Sequence, residues 1–144
     1  MENYLWLVYA LLSAVAAAMV SVFGKIGLQG LDAHTATAVR AVIMAAFLVA
    51  VAVFQRRWEH LPELWADKRA MTFILLSGVA GALSLLFYFT ALKYGKVSQV
   101  APVDKLSVVL AATAAVVFLH ETVSVMSAAG IGLITAGIIL VALG

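Results

Sequence analysis

Residues 97–119 read VSQVAPVDKLSVVLAATAAVVFL, an apolar run in which a carboxylate and an ammonium, Asp104 and Lys105, follow closely on Pro102. On insertion scales each charged group costs roughly 2.5–3.5 kcal/mol at the centre of a bilayer. The run therefore predicts a membrane-spanning helix whose charges are paired, held near water or used in function. Pro102 removes one backbone donor from that helix, and we predict that it acts as a hinge.

The composition of the whole chain agrees with a membrane protein. Of 144 residues, 65% are hydrophobic and 11% charged, and the mean hydropathy is +1.12, whereas about half of the residues of a soluble domain are apolar. The apolar residues form blocks of about twenty, the length that crosses a bilayer core of roughly 30 Å. We expect an all-α, polytopic helix bundle that forms a single membrane domain over residues 1–144, with spans at about 4–24, 33–54, 70–92, 99–119 and 123–143.

Several functional classes are disfavoured by the residue types present. The chain has no cysteine, so disulfides, thiolate nucleophiles and Cys-ligated metals are excluded. The basic residues gather at the ends of the apolar blocks, which is not typical of a nucleic-acid surface. We find no paired-carboxylate, HExxH or Ser/His/Asp arrangement, and expect no enzymatic activity, no cofactor and no bound metal. His60, beside Glu59 and Glu63, is a weak metal-ligand candidate and more typical of a solvated loop.

The connections between the first spans also carry signals. The leader holds Glu2 and no basic residue, so we expect a retained first span and not a cleaved signal peptide. Three glycines within residues 24–30 predict a bend, and Asp32 is a suitable N-cap for the second span. Ser98 is a plausible N-cap for the fourth span. In the long polar loop, helical spacing of apolar side chains predicts a short element on the membrane surface, formed by Trp58, Leu61 and Trp65.

Arg40 is the most unusual residue of the second predicted span. It lies about eight residues into that helix, or roughly 12 Å along its axis, which is too deep for easy snorkelling. We expect its side chain to face the bundle interior or a water-filled cavity. The alternative is a buried arginine that pairs with a carboxylate for packing alone.

Five spans bring several charged residues to one side of the membrane. Lys25, Arg40, Asp104 and Lys105 are expected to converge about two turns below that surface, with Asp104 paired to Arg40 or Lys25 across helices. Three bases against one acid favour an anionic or zwitterionic ligand. Tyr88, in an aromatic run near the end of the third span, either lines this cavity or anchors the membrane interface. The predicted substrate-binding residues are therefore Lys25, Arg40, Asp104, Lys105 and Tyr88.

The order of short motifs along the chain resembles the EamA-type transporters of the drug/metabolite transporter superfamily. These motifs are GKIGL at 24–28, TAVR at 37–40, FTALKYG at 89–95, VAPVDKLS at 100–107 and GIGLITAG at 130–137. Members of that family usually have ten spans, built from two five-span repeats of opposite orientation. The resemblance implies that this chain is one repeat, that it exports or exchanges a small metabolite, and that the ligand is held between the first four helices of each repeat.

A single repeat is expected to need a second one, because alternating access works by rocking one repeat against the other. We predict an antiparallel homodimer in the inner cell membrane, or pairing with a second homologous chain. The loop charges are compatible with dual topology. One side holds Arg56, Arg57, Lys68 and Arg69, and the other holds Lys25, Arg40, Lys93 and Lys96. Discounting Arg40 as buried would tip the balance toward a cytoplasmic N-terminus.

Two alternative functions remain from the sequence. A structural or regulatory membrane subunit accounts for the helices but leaves the charged residues unexplained. The small multidrug exporters share the superfamily and export cations, and they rely on a glutamate in the first span. The present first span has no acidic residue between Tyr4 and Gly24, which makes the same exchange of protons for cations doubtful.

Overall fold

The computed structural model describes residues 4–144, and within that range every regular element is a helix. Five helices are long and apolar enough to cross a membrane. They are Leu5–Gly27, Ala33–Phe54, Lys68–Tyr94, Val97–Leu119 and Val125–Leu143. The predicted all-α class with five membrane-spanning helices is therefore confirmed.

We number the α-helices in chain order. They are α1 (Leu5–Gly27), α2 (Ala33–Phe54), α3 (Leu61–Ala66), α4 (Lys68–Tyr94), α5 (Val97–Asp104), α6 (Leu106–Leu119) and α7 (Val125–Leu143). The fourth candidate span thus consists of two helices, α5 and α6. The short helix α3 lies in the polar loop between the second and third spans.

Helix α1 extends further than predicted, through Gly24 to Gly27. The N–H of Leu28 still donates to the Gly24 carbonyl at 3.0 Å, and the turn comes only at Gly30, whose φ of +75° is in the left-handed region. One glycine in a helix interior costs only about 1 kcal/mol relative to alanine, and a long apolar helix tolerates it. The predicted bend is therefore correct, but it starts four residues later than expected.

Two of the expected helix starts were also placed inaccurately. Helix α5 begins at Val97 with Lys96 as its N-cap, so the predicted cap at Ser98 was wrong. Helix α7 begins at Val125, because the side chain of Ser124 accepts the N–H of Ser127 at 3.1 Å and caps the first turn. Hydropathy alone had placed this start two residues earlier, since it does not register the capping hydroxyl.

Asp32 caps α2 as predicted. Its Oδ2 accepts the backbone N–H of Thr35 at 2.8 Å and the hydroxyl of the same residue at 3.0 Å. The first N–H groups of a helix have no partner within the helix, so this carboxylate satisfies one of them. The cap fixes the point at which the chain leaves the turn and enters the second span.

The loop between α2 and α4 is largely helical. Arg56 follows α2 in the left-handed conformation, with φ 54° and ψ 33°, and donates its N–H to the Val53 carbonyl at 3.0 Å. A 3-10 turn at Arg57–His60 then leads into α3. Pro62 lies in the first turn of α3, where its missing N–H costs nothing. The predicted helical element is present, and its position on the membrane surface stays a prediction.

The fourth span is interrupted at Lys105, which lies between α5 and α6 with φ −70° and ψ −3°. Its N–H donates to the Pro102 carbonyl at 3.0 Å, and its carbonyl accepts from Val108 at 2.9 Å. Both bonds join residues three apart, the tighter pattern of a 3-10 turn. Pro102, inside α5, has no N–H to offer the Ser98 carbonyl one turn earlier. The charged residues of this span thus lie at a break in the regular helix.

Contacts divide the chain into two compact units. One unit is Phe23–Lys93, whose buried apolar side chains are Leu28, Ala33, Phe89 and Leu92. The other combines the N-terminal part of α1 with Tyr94–Gly144, where α7 packs against both α5 and α6. Most apolar side chains on the five spans are exposed, as expected when lipid is the solvent. A single membrane domain over residues 1–144 stays a prediction.

Asp32→Ala is expected to lower the midpoint of thermal unfolding in detergent, because α2 loses its N-terminal acceptor. The hydrogen bond from the Thr35 N–H is the main cause that lowers the pKa of the Asp32 carboxyl. A lowered pKa in the folded state adds stability above the unfolded-state pKa, and this stability is lost as the pH falls through the folded-state pKa. The advantage of the wild type over Asp32→Asn should therefore be present at neutral pH and disappear in acid. Melting curves followed by circular dichroism measure both effects.

Glu59→Gln is the matched control, because Glu59 lies in the 3-10 turn and caps no long helix. A melting midpoint that falls equally for Glu59→Gln and Asp32→Asn at neutral pH would contradict the capping role.

Pro102→Ala is expected to slow amide hydrogen exchange at residues 105–108, by roughly tenfold or more, because a proline in a helix interior costs ~3 kcal/mol. Mass spectrometry of exchange in detergent measures this change. Pro62→Ala is the control, since Pro62 lies in a first turn and its replacement should leave the exchange of α3 unaltered. Unchanged exchange at 105–108 would show that Pro102 does not cause the interruption.

Candidate functional site

Arg40 is held against an aromatic ring inside the second span. It is the eighth residue of α2, about 10 Å along the helix axis from Ala33. Its guanidinium carbon lies 3.8 Å from the centroid of the Phe89 ring of α4. The side chain is half-buried, and the predicted inward orientation toward a neighbouring helix agrees with this contact. Such cation–π contacts contribute about 0.5–1 kcal/mol at exposed sites and about 2 kcal/mol when desolvated.

The acidic residues nearest in sequence do not neutralise Arg40. Within Phe23–Lys93 the one ion pair joins His60 and Glu63, at 3.5 Å in the loop. The alternative of a packing pair between Arg40 and a carboxylate is therefore not found within this unit. Within this unit the Phe89 ring stabilises the cation without accepting a hydrogen bond from it, which leaves N–H donors for an anion.

Phe89 is the centre of a small aromatic cluster. It is only 2% exposed, and the ring of Tyr88 meets it edge-on, with centroids 5.3 Å apart and planes at 84°. This T-shaped geometry is favourable for aromatic pairs. Tyr88, a predicted binding residue, thus lies beside the Arg40 contact and is half-buried.

The Phe89 ring also lies directly against the backbone of α1 at Gly24. A Cβ atom at Gly24 would stand 2.2 Å from the Cε1 atom of Phe89 and 3.0 Å from its Cζ atom. Real Cβ atoms do not come so close, so only glycine accepts the ring in this position. Gly27, one turn further along the same helix, has open space around the equivalent position.

Lys25 follows Gly24 and points toward the end of α4. Its ammonium donates a hydrogen bond to the carbonyl of Leu92, in the last turns of that helix. Cations are stabilised there because the helix dipole places partial negative charge at the C-terminus. The bond connects the end of α1 to the end of α4, the two helices that enclose Phe89.

An open cavity of about 530 Å³ lies beside Lys25. Polar residues in its lining are Lys25, Gln29, Asp32 and Lys93. Lys93 is near enough to Asp32 for its charge to contribute to the lowered pKa of that carboxyl, after the larger effect of the Thr35 hydrogen bonds. The cavity therefore offers both cationic and anionic groups to a ligand.

Asp104 and Lys105 lie in the other unit, at the break between α5 and α6. The Lys105 ammonium is 3.5 Å from Oδ2 of Asp104, and both side chains are partly exposed. A half-exposed pair of this kind contributes little to stability, about 0–1 kcal/mol. The partner that the structure gives Asp104 is thus its own neighbour.

The structure places three predicted site residues together, Lys25, Arg40 and Tyr88, in the unit Phe23–Lys93. Asp104, Lys105 and Pro102 belong to the other unit. Convergence of the two groups, the pairing of Asp104 with Arg40 or Lys25, and the hinge role of Pro102 all stay predictions.

The sequence prediction gave no binding-site role to Gly24, Phe89 or Lys93. From the aromatic run 87–89 the sequence prediction chose Tyr88, whereas the ring that contacts Arg40 is Phe89. Helical spacing offered one signal, because Phe89 and Leu92, three apart, share the buried side of α4. Gly24 had been assigned to a bend, which concealed its role as a contact surface.

Among residues 4–144, no group of three or more His, Cys, Asp or Glu side chains is arranged to hold a metal ion. His60 and Glu63 lie 3.5 Å apart as an exposed i, i+3 pair. An exposed pair of this kind is typical of a solvated surface.

Comparison with known proteins identifies the family of this chain. No solved structure matches the chain significantly. A protein of Sinorhizobium sp., named an uncharacterized transporter in the cobO 3' region, is 39% identical over 137 residues, which cover 95% of this chain and 96% of that protein. The model of the EamA-like transporter family matches residues 4–143. Because this match covers nearly the whole length of the chain, the chain belongs to the EamA-like transporter family.

Proposed function

We propose that this membrane transporter is a secondary active exporter of a small anionic or zwitterionic metabolite, and that it works as a dimer of inverted five-span units. The observation that carries the proposal is Arg40, which lies inside a candidate span with its guanidinium against the Phe89 ring and no acidic partner in its own unit. An arginine in such a position is costly to insert, roughly 2.5–3.5 kcal/mol on insertion scales. A bound anion offsets that cost whenever substrate is present.

The cavity beside Lys25 supports the zwitterionic part of the proposal. Lys25 and Lys93 attract a carboxylate or phosphate, and Asp32 attracts an ammonium group. Lys25 also keeps its contact with the Leu92 carbonyl. We propose that this cavity is where substrate first meets the protein, before it reaches Arg40 and Tyr88.

Asp104 and Lys105 are proposed to complete the binding site from the fourth span. Both lie at the interruption between α5 and α6, and irregular backbone within a membrane is tolerated where it lines a cavity or is buried in protein. In transporters with inverted repeats, broken helices of this kind form the substrate site. Pro102 is proposed as the hinge of this segment.

The dimer is proposed from the five candidate spans and from the distribution of basic residues in the loops. Five candidate spans make one repeat, and alternating access requires a second repeat of opposite orientation. With Arg40 placed inside α2, four basic residues on one side oppose three on the other, which is a small orientation bias toward a cytoplasmic N-terminus. We therefore propose an antiparallel homodimer in the inner membrane, with a second homologous chain as the alternative partner.

The two alternatives are less well supported. An exporter of cations would use an acidic residue in the first span, and α1 contains none. A structural or regulatory subunit gives no reason for an arginine inside a span that has no acidic partner within Phe23–Lys93. Catalysis is not proposed, because nothing in the arrangement of Lys25, Arg40 and Tyr88 pairs a nucleophile with a base.

The substrate class is tested by thermal stabilisation of the detergent-solubilised protein with a panel of metabolites. We expect anionic or zwitterionic compounds to raise the unfolding midpoint by a few degrees, and Arg40→Gln to abolish the shift while the protein stays folded and inserted. Arg57→Gln, in the loop, is the control and should keep the shift. Stabilisation by organic cations alone, unaffected by Arg40→Gln, would reject the anion-binding proposal.

Orientation is tested by C-terminal fusion to two reporters, one active only in the cytoplasm and one only outside it. Dual topology predicts comparable signals from both, because the loops carry nearly balanced charge. Adding two lysines to the loop between α2 and α4 should shift the signal toward one reporter. A signal from one reporter alone in the unmodified chain would reject the antiparallel homodimer and favour a separate partner chain.

A further inference from the structure

We propose that Phe89 is a positioning residue for substrate binding. Its ring contacts the flat face of the Arg40 guanidinium, so that the N–H groups at the edge of the guanidinium can bind an oxyanion of the substrate. Gly24 is the second part of this device, since it admits the ring that fixes Arg40. The inference rests on the proposed function, in which Arg40 binds the substrate anion.

The distance between the guanidinium and the ring points to a stacked arrangement. The guanidinium carbon is 3.8 Å from the ring centroid, which is van der Waals contact between two flat groups. A guanidinium that pointed an N–H at the ring would hold its carbon one C–N bond further back. Since all five N–H donors lie in the guanidinium plane, contact through the face leaves them directed sideways, away from Phe89. This edge matches the two oxygens of a carboxylate or phosphate.

The ring itself cannot move aside easily. Phe89 is almost completely buried. The ring centroids of Tyr88 and Phe89 are 5.3 Å apart, and the backbone of α1 at Gly24 lies directly against the Phe89 ring. Contacts from two helices, α1 and α4, therefore hold the ring in place, and the ring positions the Arg40 cation of α2. A long arginine side chain otherwise loses considerable rotamer freedom when it binds a ligand, and this contact removes part of that cost in advance.

The chain provides matched controls for both residues. Phe87 lies two residues before Phe89 in the same helix but is 71% exposed, so Phe87→Leu makes the same chemical change away from Arg40. Gly27 lies on α1, one turn after Gly24, and a Cβ atom added there would have no neighbour within 4 Å, so Gly27→Ala controls for Gly24→Ala.

The experiment measures the Kd of inorganic phosphate, succinate and glutamate by thermal shift in the purified full-length protein, with choline as the cationic comparison. We expect Phe89→Leu and Gly24→Ala to raise the Kd of the anion that stabilises the wild type by about threefold to thirtyfold, the range of a cation–π contact. Phe87→Leu and Gly27→Ala should leave it unchanged. Comparing the Kd of phosphate with that of succinate shows whether the site prefers a phosphate or a carboxylate.

A second variant separates positioning from packing. Replacement of Phe89 by 3,4,5-trifluorophenylalanine keeps the ring in place but withdraws charge from its face, which weakens the attraction for a cation. We expect the anion Kd to rise while the unfolding midpoint without ligand stays close to that of the wild type. This variant also decides the matter if Phe89→Leu does not fold.

The outcomes distinguish a failure of the proposed anion binding from a failure of the positioning role of Phe89. If no anion stabilises the wild type, the proposed function itself fails. If an anion stabilises the wild type but the fluorinated ring binds it with unchanged Kd, anion binding stands and the positioning role of Phe89 is overturned.

Discussion

The contact between the Arg40 guanidinium and the Phe89 ring is the constraint on which the rest of this protein depends. A positive charge within a span has to be stabilised by something, and here an aromatic face from a neighbouring helix does so. The contact requires α2 and α4 to approach each other at Arg40 and Phe89, and the position of the ring requires α1 to approach closely at Gly24. The same contacts therefore pack the helices of this unit and position its binding groups.

The sequence was sufficient for the architecture because membrane spans are specified by composition over long windows. Blocks of about twenty apolar residues predict spans whatever their partners are, and all five appear as candidate spans. Capping at Asp32 was predictable too, because it depends on residues three apart. The start of α5 was misplaced because Ser98 is a good cap by type, whereas the chain turns into the helix at Lys96 without a side-chain bond.

The charged residues of the candidate site could be predicted from the sequence, but the residues that they contact could not. Arg40 and Lys25 stood out because ionisable groups are rare in apolar segments. Phe89 did not, since an aromatic residue in a membrane helix is ordinary until its neighbours are known. Gly24 was taken for a bend because glycine disfavours helices, although its lack of a side chain serves close packing with Phe89. Pairwise contacts between distant segments are decided by tertiary structure, which no local pattern encodes.

The left-handed residue after α2 has a consequence of its own. Arg56 occupies a position that glycine adopts without strain, at a penalty of roughly 1–2 kcal/mol for any other residue. Its positive charge at the carboxyl end of the helix returns about 0.3–1 kcal/mol through the helix dipole. The backbone conformation at this position thus favours glycine, whereas the end of the helix favours a basic residue. Arg56 therefore combines a strained backbone conformation with a charge that the adjoining helix end favours, and its replacement by glycine would relieve the first at the loss of the second.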